Sequence, residues 1–169
     1  RRQRQMCIRD RYEAMMRWVG PASSVTAVTA TNVKSRNDEN GDRQIITIPD
    51  HAEIICEMAS GPIVHMRFSQ VTGLAPADSV WFFGTEGTLK LDASNMTLYG
   101  GQRGDQNLSE IQIASEKQGD WRVEEEFISA IRGQEKITHT SFEDGLRYME
   151  FTEAVARSAQ LRDMVRLPL

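Results

Sequence analysis

Residues 52–69 read AEIICEMASGPIVHMRFS, and the period of this stretch decides the fold. Ala52, Ile54, Cys56 and Met58 alternate with Glu53, Ile55 and Glu57, while Val64, Met66 and Phe68 alternate with His65, Arg67 and Ser69. A period of two belongs to a strand with one buried face. Ala59-Ser60-Gly61-Pro62 supplies the turn, so the stretch predicts a β-hairpin. Directly opposed residues of an antiparallel pair share a face, which restricts the register to those that keep the two apolar sets together. The expected pairing sets Ile54 against Phe68, Cys56 against Met66 and Glu57 against His65.

Working outward, Val25–Val33 is a β-branched run that suits a strand and not a helix. Ser35–Arg43, with Asn40-Gly41-Asp42, reads as an exposed loop. Downstream, short strands are expected at Ser79–Phe83, Thr88–Leu91, Met96–Tyr99 and Leu108–Ile113. Gly84-Thr85-Glu86-Gly87, Asp92–Asn95 and the Gly-rich Gly100–Asp105 separate them, giving a meander. Tyr12–Val19 reads as the end of a helix stopped by Gly20-Pro21. A later helix opens at Asp120 as N-cap, carries Val123, Phe127, Ile128 and Ile131 on one stripe, and ends at Gly133. Another opens with Ser141-Phe142-Glu143-Asp144, a capping-box pattern, and runs to about Gln160. Val165–Pro168 could add an edge strand. Strands followed by helices is the order of an α+β fold: an open, largely antiparallel β-sheet with helices packed on one face.

The 169 residues suit one domain with one core, and 40% hydrophobic with 26% charged residues excludes global disorder. No apolar run approaches the ~20 residues of a membrane helix, which leaves no case for a membrane partner. The net charge of −4 conceals an asymmetry. Arg1, Arg2, Arg4, Arg9 and Arg11 set against Asp10 leave an acidic body behind a basic start. Such a body lacks the basic stripe that nucleic acid rewards. The string of residues 1–11 resembles translated sequencing-adapter sequence and is expected to be a non-native basic tail, with the fold proper occupying residues 12–169. Cys7 and Cys56 have no zinc spacing, and a reduced, cytoplasmic setting fits a free thiol at Cys56.

Candidate chemistry is sparse. His51, His65 and His139 form no ligand pair at helix spacing. His65 is expected to face Glu57 across the sheet, while His51 and His139 are expected to be solvated. Gly84–Gly87 lacks the Lys-Ser/Thr of a phosphate loop, and Gly100–Gly104 has the wrong spacing for a dinucleotide fingerprint. Arg36, Arg67 and Gln70 could touch a polyhydroxylated substrate from loop or strand positions. No catalytic residue and no metal ligand stands out.

Certain stretches carry a resemblance when taken in order. They are Arg17-Trp18-Val19-Gly20 leading into Val25-Thr26-Ala27, the hairpin ending in Gly61, and Phe83-Gly84-Thr85-Glu86-Gly87-Thr88-Leu89. Then come Glu125–Gly133, Ser141–Leu146, and Val165-Arg166-Leu167-Pro168. From Tyr12 onward the chain resembles the C-terminal domain of the Gfo/Idh/MocA family, the relatives of glucose-fructose oxidoreductase and inositol dehydrogenase. The resemblance implies a parent enzyme with an N-terminal NAD- or NADP-binding domain, absent here, and a polyol, sugar or inositol as substrate. It also implies that the family's Glu-Lys-Pro lysine and Asp/His pair lie outside this sequence, the His falling near Arg11. No catalytic or cofactor-binding residue is therefore carried over, and the chain alone is expected to bind no cofactor and to be inactive, since alcohol oxidation needs a positioned base and nicotinamide. An open sheet with helices on one face invites a second subunit onto the other, through Ile55 and alternate residues of Ser79–Phe83, so a homo-oligomer is expected. A competing reading is a non-catalytic module that associates through its sheet.

Overall fold

A computed structural model describes residues 2–119, 121–138 and 141–169, with side chains from Ile8 onward. The expected cap at Asp120 and the solvated His139 lie outside the described residues. In chain order the elements are α1 (Arg2–Val19), β1 (Ala22–Ala30), β2 (Ser35–Asn37), β3 (Arg43–Ile45), β4 (His51–Met58), β5 (Ile63–Ser69) and β6 (Ser79–Phe83). There follow β7 (Gly87–Asp92), β8 (Thr97–Gln102), β9 (Ser109–Glu110), α2 (Val123–Ile131), α3 (Phe142–Leu161) and β10 (Val165–Arg166). The chain forms two compact units, Arg1–Thr72 with Val123–Leu169, and Gly73–Arg122, and the buried hydrophobic side chains among the described residues form one core cluster, in the first. The cause lies in the ladders: β6 to β9 hydrogen-bond only to one another.

The first unit is built on an antiparallel sheet of order β10-β1-β4-β5. The hairpin forms as expected, but its register differs: Ala52 opposes Phe68, Ile54 opposes Met66 and Cys56 opposes Val64. Pro62 explains the difference. Its carbonyl accepts from the Met58 N–H at 2.9 Å, and the Gly61 N–H returns to the Met58 carbonyl, so the loop shrinks to Ala59–Gly61. Gly61, at φ 109, closes it in a conformation that a side chain disfavours. The shift is an even number of residues, so every side chain keeps its expected face.

β1 begins three residues before the expected start, directly after Gly20-Pro21, and ends at Ala30. It stops there because buried Asp50 captures the next segment, accepting from the N–H groups of Asn32 and Val33 at 2.9 and 2.8 Å. Ser35–Arg43 is not a plain loop but the arm of a small β2–β3 hairpin. The Asp38 carboxylate ties its turn, accepting from Asn40 N, Asp42 N and Gln44 Nε2. Those bonds, led by that from Gln44, hold the Asp38 carboxyl below its usual range.

Helices α1 and α3 cover one sheet face. The Tyr12 and Phe151 rings stack with centroids 3.6 Å apart, over a core that includes Val25, Ala27, Ile54, Cys56 and Met66. The helix expected to end at Val19 extends back to Arg2, and Ile8 packs against this core. The capping box forms as read: the Ser141 hydroxyl accepts from Asp144 N, and the Asp144 carboxylate accepts from Ser141 N. Along β1, on either side of the residues paired with the two-residue β10, helix side chains take over part of the ladder. Tyr12 Oη accepts from Ala22 N and Ser158 Oγ accepts from Ala27 N, each at 2.9 Å.

The apolar stripe of α2 departs from expectation. Val123, Phe127, Ile128 and Ile131 are all exposed, and the buried residue is Glu126, whose carboxylate accepts from Thr138 N and Oγ1.

In the second unit, β6-β7-β8-β9 form an antiparallel meander. Gly84–Gly87 is the tight turn expected, closed by Gly84 N to Gly87 O at 2.9 Å. The strand expected to end at Tyr99 continues through Gly100 and Gly101. Bare glycine permits this, because a Cβ on Gly87 would lie 2.3 Å from the Gly101 carbonyl. Leu108–Ile113 contributes only the two residues of β9.

Ser158 is fully buried, and its hydroxyl also donates to the Asp163 carbonyl at 2.6 Å. Ser158→Ala strands the Ala27 N–H and should cost roughly 1–3 kcal/mol in urea unfolding. A variant as stable as the wild type would contradict this assignment.

Candidate functional site

The alternation that buries Ile54 and Cys56 presents their neighbours on the uncovered face of the first sheet. Ile54 is 0% exposed and Ile55 53%. Across this outer face one row runs Val28, Glu53, Arg67 and the next runs Thr26, Ile55, His65. Glu53 is the hub. Its Oε1 lies 3.2 Å from His51 Nε2 and 2.5 Å from Arg67 Nε, and its Oε2 lies 2.8 Å from His65 Nε2. Desolvation acts to raise the Glu53 carboxyl, but the hydrogen bonds from His65 and Arg67, with their charges, outweigh it. The group stays below the ordinary carboxylate range.

His65 was expected opposite Glu57; the corrected register sets it opposite Ile55 and within reach of Glu53. Glu57 turns instead to the Ser24 hydroxyl, which donates to it at 3.0 Å. His51, expected to be solvated, joins the same hub because positions 51 and 53 share a strand face. Sequence reasoning missed Glu53, and the signal that would have found it is the three-residue hairpin loop.

The three residues read as substrate contacts fall in different places. Arg36 lies on β2 opposite Gln44. Arg67 is held by Glu53 on the outer face. Gln70 follows β5, exposed, with its backbone N–H on the Asp50 carbonyl. Among the described residues no hydrogen bond or ion pair links the three. Cys56 is free and buried, and desolvation pushes its thiol up to about 12, so it is protonated and unreactive at neutral pH.

In the second unit the exposed face of the sheet carries Trp81 and Phe83, whose rings lie 5.9 Å apart. The Lys90 ammonium sits 5.2 Å from the Trp81 ring and 5.8 Å from that of Tyr99. Trp81 and Phe83 are alternate residues of β6, the strand whose alternate positions were expected to meet a second subunit.

Neither glycine stretch forms the phosphate cradle of a dinucleotide site. Gly84–Gly87 joins two antiparallel strands, and the Gly100–Gly101 pair lies inside β8, so neither opens a helix. The first turns of α2 and α3 carry Glu124, Glu125, Glu126, Glu143 and Asp144, carboxylates that would repel a pyrophosphate. No helix among the described residues is long and apolar enough to cross a membrane.

No family model matches the sequence, and no curated protein matches it. Solved structures do match. Levoglucosan dehydrogenase in complex with NADH and L-sorbose superposes with a TM-score of 0.78 at 19% identity, over 95% of this chain and 49% of that one. An NAD binding oxidoreductase from Klebsiella pneumoniae gives 0.78 at 17% identity, over 96% and 50%. A super-repressor mutant of Gal80p from Saccharomyces cerevisiae gives 0.72 at 13%, over 95% and 48%. The chain therefore spans about half the length of the proteins it matches, and it has the α+β fold found in Gfo/Idh/MocA-type NAD-binding oxidoreductases.

Glu53→Gln removes a carboxylate whose folded-state acidity is increased. Such a group stabilises above the ordinary carboxylate range and loses that contribution as pH falls through its folded value. The wild type should exceed the variant by up to about 1 kcal/mol at neutral pH, with the gap closing below about pH 4. Urea titrations across pH check this, and a gap that grows on acidification would contradict it.

Proposed function

We propose that this chain is the C-terminal, substrate-side domain of a Gfo/Idh/MocA oxidoreductase that uses NAD or NADP to oxidise or reduce a sugar, inositol or related polyol. One observation carries the reading: about 95% of the chain matches about half of a levoglucosan dehydrogenase and of an NAD binding oxidoreductase. In this reading the nicotinamide belongs to an N-terminal domain, and the lack of a phosphate cradle at Gly84–Gly87 and Gly100–Gly101 agrees with it. Arg36, Arg67 and Gln70 are the candidates for contact with substrate hydroxyls, with Arg67 oriented by Glu53. The uncovered sheet faces take a second copy of the chain. A buried free thiol at Cys56 suits a reduced, cytoplasmic setting.

The fold shared with a super-repressor mutant of Gal80p favours one competing reading: a non-catalytic module that associates through its sheet. Sequencing the gene upstream separates the two. The enzyme reading expects a strand, a Gly-rich turn and a helix, followed by Glu-Lys-Pro; their absence supports the module.

The purified 169-residue chain, mixed with NAD or NADP and a panel of sugars and inositols, should give no change in nicotinamide absorbance. Turnover by this chain would place the active site within it and overturn the division of labour proposed.

A further inference from the structure

Two turns meet at one end of the second unit's sheet. Gly84–Gly87 joins β6 to β7, and the turn that follows β8 is closed by Asp105 N to Gln102 O at 3.1 Å. The Arg103 N–H donates to the Glu86 carbonyl at 2.8 Å and ties one turn to the other. Beside them opens a cavity of about 490 Å³, within the roughly 300–1,000 Å³ typical of small-molecule sites. Its side chains come from Thr85, Thr88, Gln102, Arg103 and Asp105, and the rest of its wall is glycine. Asp105 Oδ2 accepts from Gln102 N at 2.8 Å. Among the described residues no hydrogen bond or ion pair engages the side chains of Thr85, Thr88, Gln102 or Arg103. The guanidinium offers donors only, the carboxylate acceptors only, and the hydroxyls and carboxamide both. One positive and one negative group cancel, so the lining suits a neutral molecule rich in hydroxyls, each of which donates and accepts.

Phe83 supplies the apolar side of the same place. It is the last residue of β6, precedes Gly84 and stands directly opposite Thr88, so its ring shares a sheet face with a cavity-lining hydroxyl. The ring is 79% exposed, with Trp81 behind it, their planes 12° apart. An aromatic face carries negative charge density and attracts the polarised C–H groups of a sugar ring laid on it. Nucleotides stack on aromatic rings too, but Asp and Glu outnumber Lys and Arg by seven to four in Gly73–Arg122, which disfavours phosphate. We propose that this end of the second unit is a saccharide-binding subsite, in which a neutral pyranose stacks on Phe83 and sets its hydroxyls against Thr88, Arg103 and Asp105. The inference goes beyond the catalytic reading above and does not depend on it, since the ring is held whether or not a nicotinamide domain is present. It occupies one end of the sheet and leaves the rest of that face to a second copy.

Saturation-transfer NMR on the full 169-residue chain tests this, with methyl β-D-glucopyranoside as the probe, AMP as the anionic comparison and circular dichroism reporting the fold of each variant. Transfer to the C–H protons of the glucoside is expected, with half-saturation in the millimolar range and backbone amide shifts confined to Phe83–Thr88 and Gly101–Asp105. Phe83→Leu keeps an apolar side chain but removes the aromatic face, and should weaken binding about five-fold or more, while Phe83→Trp should retain it. Arg103→Gln should weaken it about three-fold or more. No transfer to the glucoside at any chain concentration would overturn the subsite. Amide shifts elsewhere would contradict its place, and undiminished binding by Phe83→Leu would contradict the stacking. Tighter binding of AMP than of the glucoside would overturn the neutral saccharide as its ligand.

Discussion

Burial of one sheet face, and only one, is the constraint from which the first unit follows. α1 leads into β1 through Gly20 at φ 82, and α3 leads through Arg162 at φ 56 into β10, which pairs with the same strand. Both covering helices are thus tethered to β1 and lie on the same side of the sheet, with α3 packed on β1 and α1 on α3. Ile54, Phe151 and Val25 are removed from water there, each contributing about 1.5–3 kcal/mol relative to exposure. The hydroxyls of Tyr12 and Ser158 belong to the same contact, because a helix laid on the sheet must also satisfy the backbone it covers. Among the described residues no buried side-chain nitrogen or oxygen lacks a partner.

The strand period that buries Ile54 and Cys56 delivers Glu53, Ile55 and Glu57 to the opposite side. Two chemistries share that side. Glu53 is held by three cationic or potentially cationic groups, while Val28, Ile55 and Ile63 stay in water without partners. An isolated domain gains little from the second feature, since exposed apolar residues add nothing to its stability. A domain that is half of a larger assembly gains a contact surface. Phe127, Ile128 and Ile131 of α2 are exposed in the same way.

What could be read from the sequence follows from how local each signal is. The hairpin, the meander, the Ser141–Asp144 cap and the edge strand at Val165 depend on a few neighbouring residues, and all are present. The register depended on whether the Pro62 carbonyl belongs to turn or ladder, a choice that composition does not reveal. Glu53 went unnoticed for that reason, its partnership with His65 being a product of register. The small β2–β3 hairpin hid in a polar stretch because Asp38, not an apolar period, organises it. The α2 stripe was legible as a period, but its residues lie exposed among the described residues, and the periodic pattern of a helix does not say what its apolar face meets.

Thiol labelling tests the one-sided sheet most directly. In dilute solution, where chains are separate, a cysteine introduced by Ile55→Cys should react with a maleimide nearly as fast as an unfolded thiol, while the native Cys56 should stay unreactive until urea unfolds the chain. Rapid labelling of Cys56 in the folded wild type, or protection of the residue 55 thiol in the monomer, would mean that the helices do not cover the face assigned to them.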